Sequence, residues 1–297
     1  MLREYLRARI ITTYFLIPEI DALSAKVKLQ KDPVRGRFAV ASEDIKVGSI
    51  IAIEKPTIYL LNPDDPSLIL EFCHHCLRPS PITFVPCQGC TSVIFCSKKC
   101  RETSLIKTHR YECELDLYGL RSKSDASSFR IFLALRAVLQ YPIEELEKSN
   151  LLKMEAHNQT QLFEEELKIL SLTILILVLL RNTSYYQEES LKDDIRTLNM
   201  TQRELKLAEV IGHLSRVQNF NSHPILTSIT EELSSNKQDF NVGLGRLGDC
   251  INVAIGSNFN HSCNPNTLRI NSVSPPRTFL IASRNIPQGK YRQNPIK

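Results

Sequence analysis

The sequence contains no tryptophan, and its 297 residues include only 10 glycines and 15 prolines. This composition excludes a collagen-like or low-complexity chain. The longest mainly apolar run, residues 169–180, is shorter than the roughly 20 residues that a membrane span needs. We therefore interpret that run as a buried helix and expect no membrane partner. Residues 1–20 also lack the cationic start, apolar stretch and cleavage site that are typical of a secretory signal.

Net charge is also low, at +5 with histidine neutral, and the hydrophobic fraction of 42% is sufficient for a buried core. The charge is uneven, since residues 250–297 contain six Lys or Arg and no Asp or Glu. Those basic residues fall largely in segments that we interpret as core strands. We therefore do not expect nucleic acid as a partner.

Cysteine, in contrast, is concentrated: seven of the nine cysteines lie in residues 73–113. With one histidine they form the series Cys-x2-Cys-x10-Cys-x2-Cys-x5-Cys-x3-Cys-x8-His-x3-Cys. Because no secretory signal is predicted, clustered CxxC pairs indicate metal binding in a reducing compartment and not disulfides.

Eight thiolate and imidazole ligands suit two tetrahedral Zn²⁺ sites, and both ions should be structural because no ligand position is left open. We expect cross-braced pairing, although the spacing also leaves sequential pairing open. The predicted ligands are Cys73, Cys76, Cys96 and Cys100 for one ion, and Cys87, Cys90, His109 and Cys113 for the other. We expect Gly89 to ease the second CxxC turn, and we interpret His74 and His75 as solvent-facing residues.

Outside the cysteine-rich residues 73–113, the order of strand-like and helix-like segments predicts an α+β fold. Alternating and β-branched segments within residues 26–61 indicate strands, and residues 62–67 indicate a loop. Short, glycine-punctuated strands are expected after residue 240. Because strands flank a helical part, we expect the sheet to be completed by distant segments. A broad apolar face predicts a helix at about 127–140, and the helical pattern of residues 125–220 also fits helices at about 160–181 and 201–217.

Residues 243–248 read Gly-Leu-Gly-Arg-Leu-Gly and satisfy the pattern GxGxxG. A dinucleotide-binding turn needs a following helix and an acidic residue about 20 positions later. No Asp or Glu follows Asp249, and residues 250–255 are typical of a strand. We therefore predict no dinucleotide site here.

Residues 73–113 resemble the MYND zinc finger over their whole length. That family mainly docks proline-containing peptides, so the resemblance implies peptide partners of this kind. The surface of the finger would offer Gln88, Thr91, Lys98 and Arg101, which include no obvious catalytic group.

A second motif, Asn-His-Ser-Cys-x-Pro-Asn at residues 260–266, resembles the signature of SET-domain lysine methyltransferases. Residues 34–39 and 44–48 resemble the opening Gly-Arg-Gly-Leu-x-Ala and Asp-Ile-x-x-Gly segments of that domain. Residues 281–289 resemble its late strand and turn. A SET domain that is split by a MYND finger and carries a helical insertion defines the SMYD family, which the chain resembles over roughly residues 26–290.

The resemblance implies a SET-domain β-fold split by the MYND finger and a helical insertion. It also implies a protein-lysine N-methyltransferase of the nucleus or cytoplasm, which transfers a methyl group from S-adenosylmethionine to a histone or non-histone lysine. Arg35, Gly36, Asn260 and His261 would line the methyl-donor pocket. The implied domains are an N-terminal SET segment (1–72), the finger (73–113), the helical insertion (114–225) and the C-terminal SET core (226–297).

The chain also departs from the family pattern. Val34 stands where the family usually has its first glycine. Tyr291 follows Gly289 too soon to be the channel-closing tyrosine, and the terminal cysteine group that would share a third zinc ion with Cys263 is absent. We therefore expect a C-terminally truncated chain without the catalytic tyrosine and the post-SET cap, and we assign no catalytic residue. The alternative is an inactive, zinc-dependent adaptor whose MYND finger recruits partners.

Overall fold

The computed structural model describes residues 14–17, 20–33, 36–62, 65, 67–115, 127–156, 163–186, 200–228, 244–252, 255, 258–273 and 276–289. These residues divide into two compact units. The first unit contains the described residues up to Thr57, Asn252–Ser272 and those from Pro276 onward. The second contains the described residues of Ile58–Ile251 together with Val273. Helices and strands are both present, which confirms a mixed helix and sheet chain.

The strands are β1 Tyr14–Ile17, β2 Ile20–Ser24, β3 Val27–Asp32, β4 Gly36–Ala41, β5 Ile50–Glu54, β6 Ile58–Leu61, β7 Val85–Pro86, β8 Ile94–Phe95, β9 Ser222–Ser228, β10 Leu244–Ile251, β11 Thr267–Val273 and β12 Pro276–Ala282. The helices are α1 Ser67–Glu71, α2 Lys98–Ser104, α3 Arg110–Glu114, α4 Ser127–Gln140, α5 Ile143–Lys148, α6 Phe163–Arg181 and α7 Gln202–Asn221. A π-helical turn, Leu105–His109, joins α2 to α3, and a 3₁₀ turn covers Ser184–Tyr186.

The first unit is built on a five-stranded sheet with the order β1-β2-β5-β12-β11. Strand β5 pairs antiparallel with β12, so that Ile53 lies opposite Phe279. The apolar core of this unit lies against these strands and includes Ile51, Ala52 and Leu280. Since more than 200 residues separate the paired strands in the chain, the prediction that distant segments complete the sheet is confirmed.

Two turns of similar sequence, residues 44–48 and 285–289, pair with each other beside this sheet. In each turn, the side chain of the first residue accepts a backbone N–H from the other turn, and the isoleucines exchange backbone hydrogen bonds. The matched contacts are Ile45 with Ile286 (2.8 Å in both directions), Asp44 Oδ1 with the Gln288 N–H (2.7 Å) and Asn285 Oδ1 with the Val47 N–H (2.9 Å).

The second unit contains a three-stranded sheet with the order β6-β10-β9. Strand β10 approaches β6 so closely that a Cβ on Gly248 would lie 2.1 Å from the carbonyl oxygen of Leu60. Residues 244–248, the described part of the GxGxxG match, therefore lie in a strand and not in a turn that leads into a helix.

The helices predicted at 127–140, 160–181 and 201–217 correspond to α4, α6 and α7. Helix α7 begins with a capping box, in which Thr201 Oγ1 accepts the Glu204 N–H at 3.2 Å and the Glu204 carboxylate accepts the Thr201 N–H at 2.9 Å. Arg181, at the end of α6, donates to the same carboxylate at 2.6 and 3.0 Å. None of the described helices has the length and hydropathy of a membrane span.

The structure differs from the predictions at two places around residue 60. Residues 49–61, which belong to the range 26–61 in which we predicted strands, are divided into β5 and β6, because Pro56 has no N–H to continue the strand. The predicted loop at 62–67 ends earlier, because Ser67 already begins α1. Asp65 Oδ1 accepts hydrogen bonds from the Ser67 N–H at 3.0 Å and from its hydroxyl at 2.6 Å, which fixes the start of the helix.

Candidate metal centre

The first cysteine cluster gathers four thiol groups whose sulfur atoms all lie within 4.8 Å of one another: Cys73, Cys76, Cys96 and Cys100. Neighbouring sulfurs are 3.6 and 3.7 Å apart. A tetrahedron with Zn–S bonds of about 2.3 Å separates its sulfurs by about 3.8 Å. Leu77 closes the CxxC turn with a left-handed φ of 58° and donates its N–H to the Cys73 carbonyl at 2.9 Å. The four sulfurs therefore fit a single zinc ion.

The second cluster gathers three thiols and one imidazole within the same limit of 4.8 Å: Cys87, Cys90, His109 and Cys113. The His109 Nε2 atom lies 3.3 Å from Cys87 Sγ and 3.6 Å from Cys90 Sγ, so this ring nitrogen faces the sulfurs. The two clusters correspond to the cross-braced grouping expected from the sequence, and sequential pairing would have required other neighbours. Their assignment as zinc ligands remains a prediction, which we take up below.

Gly89 matters for a reason other than the one that we expected. Its φ is not positive, since among the described glycines only Gly36 and Gly48 have that conformation. A Cβ at Gly89 would instead lie 2.8 Å from Cys113 Sγ. The absence of a side chain therefore lets the second CxxC turn approach the last ligand of its own cluster.

The start of helix α2 positions the ligand pair Cys96 and Cys100. Cys96 precedes the helix, and Ser97 is the N-cap residue, whose Oγ accepts the Cys100 N–H at 3.2 Å. His109 ends the π-helical turn and Cys113 lies in α3. A capped helix start therefore holds Cys96 and Cys100, and a π-to-α junction holds His109 and Cys113.

His74 is buried, so its interpretation as a solvent-facing residue is wrong. Only 7% of the residue is exposed, and its Nε2 atom lies 2.9 Å from Glu112 Oε2 and 2.7 Å from Arg136 Nη2. The ring also meets Phe95 edge-on. Burial, together with the Arg136 charge, lowers the pKa of His74 to about 4, so the ring is neutral near pH 7.

Glu112 and Arg136 form a buried ion pair that connects the finger to helix α4. Arg136 donates from Nε to Glu112 Oε1 at 2.9 Å and from Nη2 to Oε2 at 2.8 Å. Burial alone would raise the pKa of the Glu112 carboxyl, but the Arg136 guanidinium and the contacts of His109 and His74 hold that pKa well below its usual range. Glu112 is therefore a carboxylate beside the second cluster.

Sequence reasoning missed this cluster, although two signals for it were present. Arg136 interrupts the apolar face of the predicted helix at 127–140, and a charged residue in such a face is rarely buried without a partner. Glu112 lies between the ligands His109 and Cys113, three residues after His109. Neither signal identifies the partner, because 24 residues separate the two members of the pair.

The SET-like motif forms an exposed loop in the first unit. Asn260 and His261 are exposed. The loop is fastened by the Arg284 guanidinium, which donates to the Asn264 carbonyl at 2.8 Å, and by the Ser283 N–H, which donates to the Asn266 carbonyl at 3.0 Å. The loop therefore presents two of the four predicted donor-binding side chains to solvent.

The segment that leads into this loop is held by Glu54, a residue that sequence reasoning did not single out. Its carboxylate, only 1% exposed, accepts the Ile255 N–H at 2.7 Å. Of the other predicted donor-binding residues, Gly36 begins β4 with a φ of +70°, and no atom lies within 4 Å of its Cβ position. Arg35 lies outside the described residues.

Comparison with known proteins agrees with these features. The MYND finger family matches residues 73–113. Over 112 residues the chain is 31% identical to human "Protein-lysine N-methyltransferase SMYD4", an alignment that covers 33% of this chain and 14% of that protein. A SET and MYND domain-containing protein of Dictyostelium discoideum is 30% identical over 91 residues, or 29% of this chain and 21% of that protein.

About a third of the chain is therefore similar to proteins named as lysine methyltransferases or as SET and MYND domain-containing proteins. A plant relative, "Histone-lysine N-methyltransferase ASHR2" of Arabidopsis thaliana, is 35% identical over 68 residues, which are 22% of this chain and 17% of that protein. The alignments span about a seventh of the length of the vertebrate SMYD4 relatives. The match to the MYND finger, together with the two Cys/His clusters, supports Zn²⁺ as the metal of residues 73–113. The comparisons do not favour the alternative of an inactive adaptor.

Proposed function

We propose that this chain acts as a SET–MYND protein-lysine N-methyltransferase that transfers a methyl group from S-adenosylmethionine to a histone or non-histone lysine. The observation that carries the proposal is the position of the finger: a MYND finger lies in the chain between β5 and β12, two paired strands of one sheet. Proteins that are similar to about a third of this chain are named protein-lysine N-methyltransferases. The proposal includes a SET fold for the first unit.

We assign the two zinc ions of the finger a structural role. Each cluster supplies four soft or borderline ligand atoms within 4.8 Å, a donor set that suits tetrahedral Zn²⁺ and leaves no position open for substrate. The eight ligands would be those grouped above. Because binding energy at a structural zinc site is folding energy, the finger should lose its structure when the metal is removed.

Gly36, Asn260 and His261, with Arg35, would hold the methyl donor. The open space at the Gly36 Cβ position and the exposure of Asn260 and His261 allow a ligand to approach. S-adenosylmethionine supplies an electrophilic methyl group when it is bound. The chain's part is to position the donor against a neutral lysine amine, which is mainly a problem of orientation.

Methyl transfer from radiolabelled S-adenosylmethionine to histones and to pooled cellular proteins tests this activity. We expect label on lysine, and we expect His261→Ala to weaken donor binding about tenfold in equilibrium dialysis, the loss of one hydrogen bond to a charged ligand. Zinc content should stay at two ions per chain. A folded, fully metallated chain that binds no donor at millimolar concentration would refute the proposal.

His75→Ala provides a matched control. It removes a second histidine side chain, within the finger, and should leave donor binding unchanged. If His75→Ala and His261→Ala weaken donor binding equally, the effect of His261→Ala is not local and the assignment of His261 is wrong.

The finger would also carry peptide partners in this proposal. Gln88, Thr91 and Lys98 are exposed, and so are the apolar side chains of Ile82 (100%) and Phe84 (45%). Titration of labelled proline-containing peptides against the metallated chain tests this, with Phe84→Ser as the variant expected to weaken binding. Binding that survives zinc removal would contradict it.

A further inference from the structure

We propose that Glu112 and Arg136 are positioning residues for the zinc ion of the second cluster, so that this zinc ion and the packing of helix α4 stabilise each other. The inference rests on the proposed zinc-binding role of the finger. It adds two residues that donate no ligand atom, one of which lies outside the finger.

The two ring nitrogens of His109 face different groups. Its Nε2 atom faces the sulfurs of Cys87 and Cys90, so its Nδ1 atom is turned away from the metal position. A metal-bound imidazole usually donates the proton of its other nitrogen to a carboxylate or carbonyl, which fixes the ring. His109 Nδ1 lies 3.7 Å from Glu112 Oε2, so a shift of about 0.7 Å would make a hydrogen bond.

Arg136 fixes the carboxylate in turn. The guanidinium binds both oxygens of Glu112, and Nη1 also donates to the Tyr59 carbonyl of β6 at 3.4 Å. Both Glu112 and Arg136 are buried. A buried bidentate pair of this kind has one favoured geometry, so α4 sets the direction in which Glu112 presents Oε2 to His109.

The same residues could be mistaken for a third metal site, because ligand atoms of His74, His109 and Glu112 lie within 4.8 Å of one another. The Arg136 guanidinium, however, lies 2.7 Å from His74 Nε2 and 2.8 Å from a Glu112 oxygen. Its positive charge occupies the place where a cation would bind. His74, Glu112 and Arg136 therefore surround the second zinc site and do not form a third metal site.

A cavity between the second cluster and helix α4 explains why a polar contact, and not apolar packing, connects them. A cavity of about 470 Å³ borders the cluster, and its lining includes Cys90 and Cys113 on one side and Phe132 and Arg136 of α4 on the other. Close apolar packing therefore does not seal α4 onto the ligands at this point. The polar series His109, Glu112 and Arg136 spans this gap, and His74 contacts both Glu112 and Arg136.

Zinc affinity measured site by site tests the inference. The full chain, loaded with two zinc ions, is titrated with a chelating dye, and the variants are Glu112→Gln and Arg136→Met. We expect the affinity of one zinc ion to fall 10- to 100-fold, the usual effect of removing an outer-sphere partner, while the other ion is retained as in the wild type. In the cobalt-substituted protein, the visible bands of the site with three sulfurs and one nitrogen should shift.

The ion pair Arg181–Glu204 supplies the matched control, because it is also a bidentate Arg–Glu pair with a buried carboxylate, but neither residue is a predicted zinc ligand. Arg181→Met should destabilise its helices and leave both zinc affinities and the cobalt spectrum unchanged. Equal loss of zinc in Arg181→Met and Arg136→Met would overturn the inference, as would zinc affinities in Glu112→Gln and Arg136→Met within twofold of the wild type.

If Arg136→Met does not fold, the effect of the second zinc site on helix α4 can be measured instead. Cys113→Ser removes a ligand of the second cluster, and it should speed the amide hydrogen exchange of α4 at least tenfold but leave that of α6 unchanged. Unchanged exchange in α4 would overturn the inference. A wild-type chain that binds no zinc at all would instead refute the proposed function of the finger, so the two failures can be told apart.

Discussion

Replacement of Arg181 by methionine should cost about 3–5 kcal/mol in the local stability of α6 and α7. Glu204 is completely buried, and Arg181 donates to both of its oxygens at 2.6 and 3.0 Å. After the substitution the carboxylate keeps only its capping contacts with Thr201. A buried charge without its counter-ion is therefore the main source of the loss.

Native-state hydrogen exchange in zinc-saturated protein measures this cost, because it reports the free energy of opening of the α6 and α7 amides separately from the finger. The double variant Arg181→Met/Glu204→Gln should recover most of the loss, since no uncompensated charge remains and glutamine can still accept the capping hydrogen bond. A single variant that costs less than about 1 kcal/mol would refute the reasoning. So would a double variant that is less stable than the single one.

Low pH should remove the stabilisation that the Arg181–Glu204 ion pair provides. Burial by itself would raise the pKa of Glu204, but the hydrogen bonds of Arg181 and Thr201 lower it below its usual value. Since the folded pKa is the lower one, the unfolded chain binds more protons in the interval between the two values. The contribution of the pair is therefore present above the ordinary pKa of a glutamate and is lost as the pH falls through the folded pKa. Glu204→Gln should remove this dependence from the exchange of α7.

Other predictions concern the glycines and the zinc ligands. Gly248→Ala should destabilise the β6–β10 pairing by about 3 kcal/mol in denaturation experiments, because the new Cβ would lie 2.1 Å from a backbone oxygen. Gly212→Ala, in helix α7, should instead be neutral or stabilise by about 1 kcal/mol, since the nearest atom to the new Cβ, Arg216 Nη1, lies at 3.4 Å, an ordinary van der Waals contact; destabilisation there would show that the packing argument is wrong. Cys87→Ser should unfold the finger and reduce the zinc content measured by elemental analysis, and retention of two zinc ions would contradict the ligand assignment.

Local patterns accounted for much of the fold. The long apolar run at residues 169–180 and the Thr201–Glu204 capping box are local signals, because each is contained within a single helix and its cap. The break at Pro56 was equally local but was overlooked within an apolar segment. The pairing of β5 with β12 could be expected only in outline, because the register of two strands more than 200 residues apart depends on the whole unit.

The candidate metal centre, too, could be predicted from the sequence only in part. Ligand type and spacing within residues 73–113 predicted two four-ligand clusters, since a CxxC turn brings two sulfurs together wherever it occurs. Spacing could not show that a Cβ at Gly89 would meet Cys113, because that approach depends on how α3 packs against the turn. The predicted donor-binding residue His261 was found from its motif, whereas Glu54, which holds the preceding segment, has no motif of its own.

What the sequence determined by itself was the chemistry available at each position: soft ligands at metal-binding intervals, helices by their period, and turns by their asparagine, proline and glycine. Only the tertiary structure decided which of these groups meet. It buried His74 beside Glu112 and Arg136, and it paired the turn at 44–48 with the turn at 285–289. The physical reason is that burial and charge pairing depend on contacts between distant segments, and those contacts exist only after the chain has folded.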